Sequence, residues 1–138
     1  MAFINWNDKL SVQVAAMDLQ HQQLINLINK LHDAMMAGQA KEQIGTILKD
    51  LVGYTKKHFA AEEAFMLSIR YPQFAAHKGL HDQLTRKVID LQQRIQQGEL
   101  VTPNTVLTFL NSWLINHIEQ EDKRYGQHSV QVKVAANQ

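Results

Sequence analysis

Four long amphipathic segments, separated by short breaks, leave few folds open to this chain. Leu, Ile, Gln, Lys, Glu and Ala predominate in them, and all are good helix formers. Apolar residues recur every three or four positions, which is the period of a helix with one buried face. The pattern predicts helices at about 18–37, 41–69, 73–97 and 103–125. Four helices of similar length with short connections favour an all-α, up-down-up-down four-helix bundle.

Residues at the segment ends predict where each helix begins and stops. Asp18 is the predicted N-cap of the first helix, because its side chain can accept hydrogen bonds from free backbone amides. Tyr71-Pro72 ends the second helix, since the residue before proline avoids helical torsions. Thr102-Pro103 is typical of an N-cap followed by a first-turn proline. Glycines are predicted to end the first, third and fourth helices: Gly38, Gly98 and Gly126.

Length and composition indicate one soluble domain. We assign residues 1–138 to it, with an irregular arm at 1–17 and a tail of unassigned structure at 126–138. The formal net charge of +1 gives no reason to expect nucleic acid or an anionic membrane as a partner. The chain has no cysteine, which excludes disulfides, thiolate nucleophiles and cysteine-ligated clusters. The start does not resemble a signal peptide, and no run of about 18 apolar residues occurs. We therefore expect a cytoplasmic protein with no membrane insertion.

Five histidines and two carboxylates fall on the helix faces that should be buried. One His-Glu pair and one His-His pair are four residues apart, so each pair shares a helix face. His117 and Asp122 are five apart at the end of the fourth helix, where the last turn could tighten or a side chain reach back. In an antiparallel bundle, the starts of the first and third helices lie level with the ends of the second and fourth. The seven groups that can converge there are His21, His58, Glu62, His77, His81, His117 and Asp122.

These seven groups predict a metal centre. A single histidine on an apolar face is usually a hydrogen-bonded core residue. The net free energy of unfolding of a domain is about 5–15 kcal/mol, and burying seven titratable groups without a cation would cost far more than that. Seven ligands are too many for one tetrahedral zinc, and imidazoles are poor ligands for magnesium or calcium. We therefore predict a dinuclear site for a first-row metal, with iron favoured before manganese or cobalt.

The motifs around these residues, taken together, resemble those of the haemerythrin family. The resemblance covers about residues 3–126, and no ligand position is missing. The length is similar to that of the single-domain bacterial members. The motifs are His21-Gln-Gln-Leu24, Tyr54-x-x-x-His58-Phe59-x-x-Glu62-Glu63-x-x-Met66, His77-x-x-x-His81, and Trp113-Leu114-x-x-His117-Ile118-x-x-x-Asp122-x-x-Tyr125.

The resemblance implies a cofactor and a function. It implies two iron ions per chain with a bridging oxo or hydroxo group, and one open position that binds dioxygen on the iron with two histidines. The implied function is reversible dioxygen binding for transport, storage or delivery, without catalytic residues. Five neutral imidazoles replace most of the carboxylates found in oxygen-activating di-iron proteins, which agrees with binding rather than oxidation. The implied ligands are His77, His81 and His117 on one iron, His21 and His58 on the other, and Glu62 and Asp122 as bridges.

An apolar pocket should surround the open position, so that bound oxygen is kept from protons. Ordinary core packing would explain the same residues equally well. Dioxygen is the expected partner, and an oxygen-consuming enzyme is a candidate recipient. Other functions remain open: sensing of oxygen or nitric oxide through a partner, a di-iron oxidase or detoxifying enzyme, iron storage, or a helical scaffold. The predicted pocket residues are Leu24, Ile25, Phe59, Trp113, Leu114 and Ile118.

Overall fold

The computed structural model describes residues 3–99 and 101–136, and in this part of the chain all regular structure is helical. A short 3-10 helix, Asp8–Leu10, lies in the N-terminal arm. The helical backbone then runs without a break through α4, a π-helical segment and α5, so the chain forms four long rods. The predicted all-α four-helix bundle is confirmed. The helices are α1 Ala15–Met36, α2 Ala40–Ser68, α3 Phe74–Gln96, α4 Pro103–His117, the π segment Ile118–Asp122, and α5 Lys123–Ala136.

The breaks between the rods follow the local chemistry of the sequence. Gly38 and Gly98 lie one residue beyond the caps of α1 and α3 at φ values of 72° and 81°, which favour glycine. The Thr102 side chain accepts a hydrogen bond from the Thr105 amide, and Pro103 occupies the first helical position. These short connections reverse the chain direction between successive rods.

The prediction that Asp18 caps α1 is wrong. The helix begins at Ala15, and Val14 is the N-cap without any side-chain hydrogen bond. Asp18 lies in the first turn, where its carboxylate accepts hydrogen bonds from Ser11 Oγ at 2.6 Å and from the Val12 amide at 2.8 Å. The side chain therefore fastens the N-terminal arm to α1 instead of capping the helix. A carboxylate can satisfy either role, and the tertiary position of the arm decides between them.

The prediction that Gly126 ends the fourth rod is also wrong, because α5 continues to Ala136. The tail at 126–138, to which the sequence analysis assigned no structure, is thus helical as far as Ala136, with positions 137–138 outside the described residues. Gly126 is buried where the arm crosses the helix, and a methyl group there would collide with the carbonyl oxygen of Val12. Glycine is required for this close approach, and it does not terminate the helix.

Apolar side chains from all four rods fill the end of the bundle opposite the buried histidines. Fully buried examples are Leu31, Leu48 and Val106. The buried histidines and carboxylates lie at the other end, near the start of α1 and α3 and the end of α2 and α4. Among the described residues, no helix has the length and apolar character needed to cross a membrane.

Candidate metal centre

The structure brings all seven predicted groups together at one end of the bundle. Each side chain is buried, with between 0% and 6% of its residue exposed. Their ligand atoms form two groups that share Glu62, and the atoms within each group lie within 4.8 Å of one another. The first group is Glu62, His77, His81, His117 and Asp122, and the second is His21, His58 and Glu62.

The π-helical segment explains how His117 and Asp122 reach the same face. We predicted that the last turn would tighten or that a side chain would reach back, but the turn widens over Ile118–Asp122. A π-helical turn bonds residues five apart, so side chains at that spacing lie on one face. His117 Nε2 consequently lies 3.0 Å from Asp122 Oδ1. The five-residue spacing therefore has a direct structural cause in the backbone.

The two oxygens of Glu62 face different histidines. Oε1 lies 3.3 Å from His77 Nε2 and 2.9 Å from His81 Nε2. Oε2 lies 3.2 Å from both His21 Nε2 and His58 Nε2. A carboxylate in this position can donate one oxygen to each of two cations, one on either side of it.

Asp122 repeats the arrangement from the fourth rod. Its Oδ1 lies 3.1 Å from His77 Nε2 and 3.0 Å from His117 Nε2, and its Oδ2 lies 3.0 Å from His21 Nε2. Asp122 thus separates the three imidazoles that it contacts along the same line as Glu62, with His77 and His117 on one side and His21 on the other. The three-histidine group is His77, His81 and His117, and the two-histidine group is His21 and His58.

Charge is balanced inside the cluster by the imidazoles. Burial alone would raise the pKa of Glu62, but hydrogen bonds with the surrounding imidazoles hold it well below its usual value. The pKa of Asp122 is lowered as well, because His117 and His21 outweigh the effects of burial and of the Glu62 charge. Burial would lower the pKa values of His21 and His77, but contacts with both carboxylates raise them to about 10 and about 9. Without a cation, protons on imidazoles must therefore neutralise the two carboxylates.

The donor set fits a metal centre. His81 Nε2 and Asp122 Oδ1 are buried and lie 2.9 Å and 3.0 Å from Glu62 Oε1 and His117 Nε2, but neither contact has the orientation of a hydrogen bond. His77 Nε2 and His117 Nε2 lie 3.1 Å apart, so two lone pairs face each other unless a proton or a cation lies between them. A cation would satisfy all four atoms at once. Seven donors, five of them imidazole nitrogens, exceed what one tetrahedral ion accepts.

Two of the imidazoles have hydrogen-bonded partners on their outer side. His58 Nδ1 lies 2.6 Å from Gln20 Oε1, and His81 Nδ1 lies 3.0 Å from Glu63 Oε2. Such partners fix the orientation and tautomer of a ligand imidazole. The sequence analysis did not identify Gln20, and it named Glu63 only as part of the motif that contains His58 and Glu62. The available signal was that each is the immediate neighbour of a predicted ligand in the sequence.

Tyr125 supports the Glu62 carboxylate from the fourth rod. Its hydroxyl donates a hydrogen bond of 2.7 Å to Glu62 Oε2, and the side chain is fully buried. Burial, together with the charges of Glu62 and Asp122, raises the pKa of Tyr125 well above its usual value. The hydroxyl is therefore a neutral donor at any physiological pH, and it helps to fix the position of the carboxylate.

A small apolar cavity of about 20 Å³ lies beside the cluster. Phe59 stacks on the His81 ring with centroids 3.7 Å apart, and Trp113 stacks on His117 at 4.3 Å. Both aromatic side chains also line the cavity, so their rings lie between it and these two imidazoles, and none of the seven predicted ligands is among its lining residues. Four of the six predicted pocket residues line it, whereas Ile25 and Ile118 are buried in the core elsewhere. The lining residues are Leu24, Ile28, Leu51, Thr55, Phe59, Leu84, Val88, Leu110, Trp113 and Leu114.

Two histidines lie outside the cluster. His32 stacks on Phe3 with ring centroids 4.9 Å apart, and His128 Nε2 lies 2.9 Å from the carbonyl oxygen of Ile69. Neither is among the groups of residues that could hold an ion. They contribute to packing of the arm and to the end of α2, respectively.

Comparison with known proteins gives a consistent result. Residues 12–128 match the family model described as "Hemerythrin HHE cation binding domain". The "Bacteriohemerythrin" of Stenotrophomonas maltophilia (strain R551-3) is 36% identical over 138 residues, covering 100% of this chain and 87% of that protein. That of Methylococcus capsulatus (strain Bath) is 38% identical over 127 residues, covering 91% and 96%. A crystal structure of wild-type haemerythrin superimposes with a TM-score of 0.83 at 38% identity, covering 91% of this chain and 97% of the other. The chain therefore belongs to the haemerythrin family.

Proposed function

We propose that this protein binds dioxygen reversibly at a centre of two iron ions, for transport, storage or delivery to an oxygen-consuming enzyme. The observation that carries the proposal is the division of the imidazoles by Glu62 and Asp122. Each carboxylate directs one oxygen to the three-histidine group and the other to the two-histidine group. These contacts favour an arrangement in which two carboxylates join two adjacent ions.

The ligand count supports one open position. The three-histidine group would supply three nitrogens and the two-histidine group two, and the contacts of both oxygens of Glu62 and of Asp122 would add four oxygens. With a single oxo or hydroxo bridge shared by both ions, two octahedral ions lack one ligand. That position falls to the ion held by His21 and His58, because it has one imidazole fewer.

The surroundings favour binding over chemistry. Apart from the Thr55 hydroxyl and the Trp113 indole N–H, the residues that line this cavity are apolar, and none of them is a carboxylate, imidazole or amine that could protonate a ligand there. When bound, two ferrous ions supply the two electrons that dioxygen accepts on binding and returns on release. Phe59, which lines this cavity, also lies beside the His58 ring with centroids 5.7 Å apart, and this contact joins the apolar lining to the two-histidine group. We therefore propose that the protein is a carrier and not an enzyme.

Oxygen cycling tests the proposal. The iron-loaded protein is reduced without oxygen, exposed to oxygen and then degassed while its visible spectrum is recorded. We expect a coloured band that appears with oxygen, disappears on its removal and survives repeated cycles. Immediate oxidation that degassing does not reverse would contradict reversible binding and favour an oxidase or a nitric oxide-linked function.

A pair of variants tests whether the apolar cavity protects the centre. Leu24→Asn places an amide in the cavity lining, and we expect this variant to lose reversible oxygen binding within fewer cycles than the wild-type protein. Leu19→Asn is the matched control, because Leu19 is on the same helix but 59% exposed. Circular dichroism and iron content check that both variants fold and load. Equal cycling by the two would show that the cavity does not protect the centre.

A further inference from the structure

The outer nitrogens of the clustered imidazoles have unequal surroundings. All five imidazoles turn Nε2 toward the carboxylates, which leaves Nδ1 as the outer nitrogen. A ring that gives its Nε2 lone pair to a metal carries its proton on Nδ1 and donates it outward. His81 donates in this way to Glu63, and His58 donates to Gln20. Two buried outer nitrogens have no hydrogen-bond partner among the described residues: those of His21 and His77.

The two acceptors differ in charge and serve different groups. Glu63 contacts His81 of the three-histidine group with a carboxylate oxygen at 3.0 Å. Gln20 contacts His58 of the two-histidine group with a neutral amide oxygen at 2.6 Å. A hydrogen bond to an ionised acceptor is about twice as strong as one between neutral groups. The side chain of Glu63 is only 20% exposed, so solvent does not fully screen it from the ring.

This difference in charge should give the two ions different reduction potentials. An imidazole whose outer proton is held by a carboxylate is more basic, and a more basic ligand stabilises ferric over ferrous iron. We propose that Glu63 acts through His81 as a positioning residue that lowers the reduction potential of the ion in the three-histidine group relative to the ion in the two-histidine group. Gln20, as a neutral acceptor, leaves the second ion with the higher potential. The inference rests on the proposed di-iron centre.

The arrangement suits the proposed function. The ion with the proposed open position is held by His58, whose Nδ1 contacts the neutral Gln20 amide. The ferrous state of this ion should therefore be more stable than that of the ion in the three-histidine group. A carboxylate behind the ion with the open position would stabilise its ferric state and oppose release of the ligand. A purely structural explanation also exists, since the Glu63–His81 hydrogen bond joins α2 to α3. The experiment must separate these explanations.

Three isosteric variants do so. Glu63→Gln keeps the size of the side chain and removes its charge, whereas Gln20→Glu places a charge behind His58. Asp82→Asn is the matched control, because Asp82 is one residue from His81 but exposed and paired with Lys78 at 3.1 Å instead of with an imidazole. Each protein is loaded with iron anaerobically. Iron per chain is measured, and the two one-electron midpoint potentials are determined by spectroelectrochemical titration.

We expect Glu63→Gln to raise one midpoint potential and Gln20→Glu to lower the other, with iron content unchanged. A tenfold change in ferric-over-ferrous preference at one ion corresponds to a shift of about 59 mV. Asp82→Asn should shift both potentials by much less than these two variants do. The inference is overturned if Glu63→Gln shifts the potentials no more than Asp82→Asn does. A loss of thermal stability without a shift in potential would show that Glu63 only joins the two helices. If the wild-type protein itself holds fewer than two irons, the proposed function fails together with the inference.

Discussion

The hydrogen bond from Tyr125 to Glu62 permits a sharp test of how the cluster is held in place. Tyr125→Phe removes one buried oxygen and leaves the ring that packs against Phe65, so no large cavity is created. The variant deletes a donor that lies 2.7 Å from Glu62 Oε2. Because Oε2 is also the oxygen that faces the two-histidine group, the change affects both the apo protein and metal binding.

The size of the effect follows from the charge of the acceptor. A hydrogen bond to a charged group contributes about 1.5–3 kcal/mol to stability. Imidazoles of His21 and His58 remain in contact with Oε2, so the oxygen is not left without partners. We therefore expect the apo protein to lose about 1.5–2 kcal/mol, the lower part of that range. Loss of a partner that orients a metal ligand should also weaken iron binding roughly tenfold.

Urea unfolding of the apo protein and competitive titration of ferrous iron with a chelator measure the two effects. Tyr54→Phe is the matched control, because Tyr54 is a half-buried tyrosine on the same helix as Glu62 and its hydroxyl makes no hydrogen bond to the described residues. We expect the control to change stability by less than about 0.5 kcal/mol. If Tyr125→Phe behaved like the control in both assays, the hydroxyl would not hold the carboxylate and the reasoning would fail.

Further predictions concern loading, packing and pH. Glu62→Ala should abolish iron loading, because it removes a ligand from both ions. His77→Ala removes a ligand from one ion and should reduce iron loading to about half. Metal analysis of the two variants distinguishes these outcomes. Gly126→Ala should lower the unfolding free energy by about 1–3 kcal/mol, because its methyl collides with the Val12 carbonyl; urea unfolding checks this. In the apo protein, the pKa values of His21 and His77 are raised from 6.5 to about 10 and about 9. Their contribution to stability is complete below pH 6.5 and is lost as pH rises toward 9–10, which denaturation at a series of pH values would detect.

The sequence predicts the rods well where they are amphipathic and bounded by glycine or proline. It fails for α5, because Gly126 has the appearance of a stop and because Val130, Val132 and Val134 alternate instead of following a helical period. All three valines are exposed in the structure. The helix is held by packing of residues near its start, including Tyr125 and Ser129, against the rest of the molecule. Such tertiary contacts are not visible in a local pattern.

Convergence of the seven polar groups is predictable because it depends only on helix spacing and antiparallel order. Side chains four apart, such as His58 and Glu62, share a face whatever their surroundings. The π segment is less predictable, since a spacing of five also fits a tightened turn or an extended side chain. The contacts of Gln20 and Glu63 depend on rotamers and on neighbouring helices, and the residue types alone do not specify them.

Iron content per chain, measured on the purified protein after anaerobic loading with ferrous iron, tests the central claim most directly. The geometry of Glu62 and Asp122 between the three-histidine and two-histidine groups predicts two tightly bound irons per chain. One iron per chain would show that the carboxylates do not join two ions, and no retained iron would leave the buried cluster without the cation that its charges and unpaired atoms require.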